Sequence, residues 1–337
     1  MTRFYASSSL PYRLTIVAFN DMFRAKLLQG GHLIMFSEHY KLDVFDPKLE
    51  PYLTDLYKQH RERAANIDWS YHEYIPWELG RSFIDLPWSI EQRKLPPALY
   101  LAVETSLLTE VNLPFFYHHL ATTFKGSLQV LQDFVHTWVS EEDQHSSLLE
   151  TYLIITRNAD PHELHRLRKT VVETGYTPDL DTALETMVYT TVQELATLVF
   201  YNNVAKVCSE HDRSLALLLR RIAKDESLHF AFYRDAVKGY LGVDHNFVYY
   251  IHKAMTTFAM PGVDMPNFKE RMEIISREAN YGPVSYFNQV FEHLIQFWAI
   301  DKLQPSRPEA EKAKIDLLEY YEKLKRISQR LAAKGIQ

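Results

Sequence analysis

The chain has 337 residues, 46% of them hydrophobic, with 15 prolines, 10 glycines, one cysteine (Cys208) and a formal net charge of −6. It is long enough for a large core, and a lone cysteine excludes a disulfide framework or a cysteine-rich metal site. The acidic balance, without any basic block, excludes nucleic acid as a partner, and no apolar run reaches the ~18 residues of a membrane span.

Residues 1–34 hold one acid, Asp21, against Arg3, Arg13, Arg24 and Lys26, with serines at 7–9. This reads as an extension, or a leader upstream of Met35, and alternatively as an organellar transit segment. Without a transit segment the protein is expected in the cytoplasm, where a lone thiol stays reduced. Residues 35–337 read as one domain. A first helix carries Lys58, Arg61 and Arg63. Proline- and glycine-marked breaks follow at 85–97, 174–181, 260–266 and 303–309. Between them the apolar residues fall at helical spacing. The clearest stretches are 126–156, 181–207 and 214–241, and a final Glu/Lys-rich stretch, 309–334, reads as a more exposed helix. No alternating, hairpin-flanked strand pattern stands out, so the chain is predicted to be all-α.

Two of these helices carry the same pattern, an acid followed by Glu-x-x-His: "EEDQH" at 141–145 and "DESLH" at 225–229. No other glutamate in the chain has a histidine three residues on. On a helix, residues i and i+3 share a face, so Glu142 pairs with His145, and Glu226 with His229. Both pairs lie within apolar helices, where an uncompensated carboxylate is costly. A bundle that holds two metal ions takes Glu-x-x-His from two helices and one glutamate from each of two others. Glu110 and Glu194 supply these at equal offsets, since 142 − 110 and 226 − 194 are both 32. Equal spacing favours Glu110 over the nearby Glu104. Four carboxylates and two imidazoles suit iron or manganese rather than structural zinc. The preceding acids are expected to support the imidazoles crosswise, Asp225 on His145 and Glu141 on His229. His118 and His119 lack any partnering pattern.

At these residues the chain resembles the soluble acyl-carrier-protein desaturases, the stearoyl desaturase-like family. "WVSEEDQH", "QELAT", "KDESLH" and "TEVNLP" are similar to its ligand motifs, and "YIPW" (74–77) and "FAMPG" (258–262) to its actinobacterial branch. The resemblance covers about residues 40 to 303 and implies a ferritin-like di-iron helical bundle with additional helices. It implies a homodimer using two iron ions, O2 and two electrons from a ferredoxin-type reductant. The implied reaction places a cis double bond in an acyl chain carried as a thioester on acyl carrier protein. The implied ligands are Glu110, Glu142, His145, Glu194, Glu226 and His229. Thr197 matches the family's threonine at the oxygen-binding face, and Trp138 and Asp225 match a hydrogen-bonded pair near the site. Ser146, Gln144 and Tyr201 depart from the family pattern; Tyr201 stands where plant members have histidine.

Phe115, Phe116 and Phe200 are candidates to line an acyl channel. Lys58, Arg61 and Arg63, or Arg166, Arg168 and Lys169, are candidates to dock an acidic carrier. An iron-storage bundle would be shorter. Radical storage would require a tyrosine where Leu149 stands. A di-iron hydroxylase or N-oxygenase is the alternative reading, because the same ligand set serves it.

Overall fold

Helix starts and stops follow local chemistry in the computed structural model, which describes residues 47–336; the expectations placed on residues 1–34 lie outside them. The helices are α1 (Glu50–Ala65), α2 (Pro97–Glu110), α3 (Leu113–Thr123), α4 (Gln129–Ile155), α5 (Pro161–Thr174) and α6 (Ala183–Cys208). They continue with α7 (Arg213–Val243), α8 (Val248–Thr256), α9 (Phe268–Glu278), α10 (Pro283–Tyr286), α11 (Glu292–Phe297) and α12 (Pro308–Ala332). No strand occurs among the described residues. Prolines sit in the first turns of α1, α2, α3, α5 and α12, where a missing N–H costs nothing. Asp160 caps α5, Asp212 caps α7, and Thr182 with Glu185 forms a capping box on α6. Gly175 ends α5 at φ 64°, and a Cβ there would lie 2.7 Å from the Phe115 ring. Glycine is required on both counts.

Four helices make the centre. α2 packs beside α4, α6 runs beside α7, and contacts of α4 with α7 and of α2 with α6 close the ring. α6 is buried on nearly every side, which accounts for its apolar residues running all round. α1 lies across α4 and α7, α9 covers α2, and α12 packs on α8. One continuous core links these layers. The irregular segment between α1 and α2 is pinned from the end of α4. Arg157 donates to the Leu86 carbonyl (2.5 Å) and to Gln92 (2.8 Å), and Asn158 accepts from the amides of Lys94 and Leu95.

No helix among the described residues is long and apolar enough to cross a membrane.

Candidate metal centre

Each helix of the central ring turns one glutamate into the same interior space. α2 ends on Glu110, α4 carries Glu142 and His145, α6 carries Glu194, and α7 carries Glu226 and His229. Glu142, Glu194, Glu226 and His229 place one ligand atom each within 4.8 Å of one another, and Glu110, Glu142 and His145 do the same. Glu142 belongs to both groups. Glu226 also reaches across, its Oε1 lying 3.6 Å from His145 Nδ1. Five of the six are fully buried and Glu110 is half-buried. Glu104 faces elsewhere: it accepts a hydrogen bond from Tyr100 and pairs with Arg271 at 2.5 Å.

The imidazoles are oriented from behind. His145 Nε2 bonds Asp225 Oδ2 (3.2 Å), and His229 Nε2 bonds Glu141 Oε2 (2.9 Å). With Nε2–H donating outward, each Nδ1 faces the cluster, where it offers a lone pair once its proton is displaced. His229 Nδ1 lies 2.8 Å from Glu142, and His145 Nδ1 lies 3.0 Å from Glu142. Neither Nδ1, nor Glu194 Oε2, has a hydrogen-bond partner. Inward-facing buried lone pairs beside four carboxylates fit a cation, and two divalent ions would balance those four charges. Oxygen-rich ligands with two imidazoles fit iron or manganese.

Proton affinities reflect the same crowding. Burial pushes Glu110 up to about 7, and burial with the neighbouring carboxylates pushes Glu226 well above the usual range. Glu142 is held below it, because His145 and His229 outweigh burial. Burial alone would lower the imidazoles, but Glu142 and Asp225 hold His145 up at about 10, and Glu141 and Glu142 raise His229 well above the usual imidazole range. Burial would raise Glu141, yet the hydrogen bonds of His229 and His60 bring it down to about 2.

The structure corrects one pairing. Trp138 is not bonded to Asp225; its indole donates to Glu194 Oε1 at 2.9 Å. The indole on Asp225 is that of Trp69 (2.7 Å), in the loop after α1, and Arg221 pairs with the other carboxylate oxygen. Helical spacing cannot find Trp69, because it lies outside any helix. His60 was also missed; it donates to Glu141 at 2.9 Å. Its signal was present: Leu53, Leu56, Tyr57 and His60 follow one α1 stripe. Gln144, one of the departures, holds this same loop through the Tyr71 amide (3.1 Å). Tyr201, another, donates to Glu110. His118 is exposed and His119 contacts Thr186, so neither joins the cluster.

Two clefts meet at Glu110. One spans about 460 Å³, its open mouth included, and is almost wholly apolar, with Phe200, Met260, Phe268, Met272 and Tyr281 in its walls. The other, about 380 Å³, borders Glu110, Glu142, Glu226, Trp138 and Phe116. Thr109, Glu110 and Thr197 belong to both. Thr197 donates its hydroxyl to the Gln193 carbonyl (2.9 Å). Phe115 lines neither cleft and packs against Gly175.

A profile of the family described as fatty acid desaturase matches residues 40–337. The chain is 29% identical over 288 residues to DesA1 of Mycobacterium tuberculosis, assigned as an acyl-[acyl-carrier-protein] desaturase, covering 82% of each chain. It is 23% identical to the stearoyl-[acyl-carrier-protein] 9-desaturase of Spinacia oleracea, over 80% of this chain and 72% of that one. The crystal structure of M. tuberculosis DesA2 matches with a TM-score of 0.59 at 22% identity, covering 79% of this chain and 97% of that one, a likeness of fold.

Proposed function

The chain belongs to the fatty acid desaturase family, and from that premise we propose that it desaturates a fatty acyl chain carried as a thioester on acyl carrier protein. The observation that carries the reading is the junction of two features. A buried cluster of four glutamates and two histidines opens, through Glu110 and Thr197, onto an apolar cleft. An unactivated methylene offers no acidic proton, so side-chain acid–base chemistry does not suffice. Glu110, Glu142 and His145 on one side, and Glu194, Glu226 and His229 on the other, would hold two iron ions, with Glu142 and Glu226 reaching toward both groups. When bound, the pair would use O2 and two external electrons to supply the oxidant that removes two hydrogens.

The protein's own residues do the rest. Asp225 and Glu141 fix the ring orientation and tautomer of His145 and His229. The cleft walls Phe200, Phe268 and Met272 hold an extended chain and exclude water. Thr197 presents a hydroxyl where chain and metal side meet, and is proposed as the catalytic residue beside the oxygen-binding face. A ferredoxin-type reductant, a homodimer and a cytoplasmic setting belong to the same proposal.

The carrier is expected on α1. Arg166, Arg168 and Lys169 are each paired with a neighbouring acid, Glu163, Glu150 and Glu173, so the patch is locally neutralised. Lys58, Arg61 and Arg63 are exposed and make no ion pair among the described residues, although Arg61 donates to the Thr137 hydroxyl at 3.5 Å.

Metal analysis tests the reading. The purified protein should bind two irons per chain. Glu142→Ala and His229→Ala should lose iron while far-ultraviolet circular dichroism keeps its helical signal. Full iron retention in both variants would remove the assignment.

A further inference from the structure

Asp225 and Glu141 occupy equivalent places behind the two inward-facing imidazoles, but they are held differently. Asp225 is fixed by three groups: His145, the Trp69 indole and the Arg221 guanidinium. Glu141 has no arginine and no indole. Its side chain is 22% exposed, and its Oε2 accepts from His229 and from one other group, His60 Nε2, each at 2.9 Å.

His60 itself is only 4% exposed, although it lies in the charged stretch "KQHRER" of α1. Its ring is wedged edge-on against Phe134 (5.0 Å, 80°) and lies nearly parallel to the His229 ring (5.9 Å, 21°). Its Nδ1 is buried without a hydrogen-bond partner. An imidazole that gives up one nitrogen to an apolar wall is costly to bury. Here the other nitrogen is aimed at a single atom, Glu141 Oε2.

We propose that His60 is a positioning residue for the metal centre: its Nε2–H locks Glu141 in the rotamer that orients His229. This rests on the reading of the glutamate–histidine cluster as a metal site. Without His60, Glu141 keeps one partner and can swing toward solvent, which frees the His229 ring to rotate. Outer partners of metal-bound histidines typically sustain about 10–100-fold in affinity. The lower end, about tenfold, is expected for a residue acting through the carboxylate.

The length of the replacement side chain separates positioning from packing. The glutamine amide nitrogen reaches about as far as histidine Nε2, whereas that of asparagine stops near the position of Nδ1. His60→Gln, His60→Asn and His60→Leu are compared with wild type in the full chain after removal of metal by a chelator. Cobalt(II) is titrated in, and its visible absorption gives affinity and coordination. Thermal unfolding of the metal-free variants reports packing. The expected result is a roughly tenfold loss in the asparagine and leucine variants, with an altered cobalt spectrum. His60→Gln should restore both affinity and spectrum. If the leucine variant fails to fold, the glutamine–asparagine comparison decides. Wild-type affinity in His60→Asn, or equal loss in His60→Gln, overturns the proposal. If wild type binds no cobalt, the metal-centre reading fails and takes this proposal with it; if wild type binds and His60→Asn binds equally, only the role of His60 fails.

Discussion

Glu110 and Glu104 sit on one helix and meet opposite environments. Glu104 is a structural acid, paired with the buried Arg271, while Glu110 faces Glu142 and His145. Glu104→Gln should destabilise the fold by about 3 kcal/mol, because it strands a buried guanidinium, yet leave iron content unchanged. Glu110→Gln should abolish turnover and lower iron content with little effect on melting of the metal-free protein. Iron assays and thermal melts on both variants check this, and a reversed pattern would move the ligand to Glu104. The cluster also fixes a pH dependence. Glu110, Glu226, His145 and His229 all have raised proton affinity, so near neutrality they hold protons that a cation must displace. Metal affinity should therefore rise with pH, about tenfold per unit for each proton released. Cobalt titrations at pH 6 and pH 8 should show the stronger binding at pH 8; equal binding would mean no proton is displaced. The six cluster residues were legible in the sequence because helical spacing and the equal 32-residue offsets reduce a three-dimensional site to arithmetic. Trp69 and His60 obey no such rule. Trp69 reaches Asp225 from a loop, and His60 hides in a charged stretch whose one buried stripe is short.

Among the elements, the long helices were readable from periodicity, and their observed bounds differ from the sequence reading by only a few residues. α4, α6 and α7 occupy 129–155, 183–208 and 213–243, because the caps at Thr182 and Asp212 are local signals. The packing of α9 on α2 was not readable. It includes the buried Arg271–Glu104 pair, which joins positions far apart in the chain. That contact matters for function, since α9 supplies Phe268 and Met272 to the apolar cleft. Met272→Trp should fill part of that space and shift preference toward shorter acyl chains. The measurement is turnover across a panel of acyl carrier protein thioesters. An unchanged chain-length profile would place the chain outside this cleft.

For the whole molecule, the net charge of −6 sets a condition on recognising an acidic carrier: the dock must be local. α1 carries both the candidate dock and a support of the metal centre. It carries the exposed Lys58, Arg61 and Arg63, and its buried stripe holds His60 against Glu141. Reversing the three outer charges should weaken carrier association mainly through the on-rate. Added salt should do the same to wild type, as exposed charges are screened over ~8–10 Å, and iron content should not change. Unchanged apparent affinity at low salt would move the dock elsewhere. The central claim is that this cluster and its adjoining cleft desaturate a carrier-bound acyl chain. The most direct test is mass analysis of the acyl product after aerobic turnover with reduced ferredoxin, comparing wild type with Glu226→Ala. The expected product from wild type has lost two hydrogens, and the variant returns the substrate unchanged. A product that has gained an oxygen atom, or equal desaturation by Glu226→Ala, would contradict the claim.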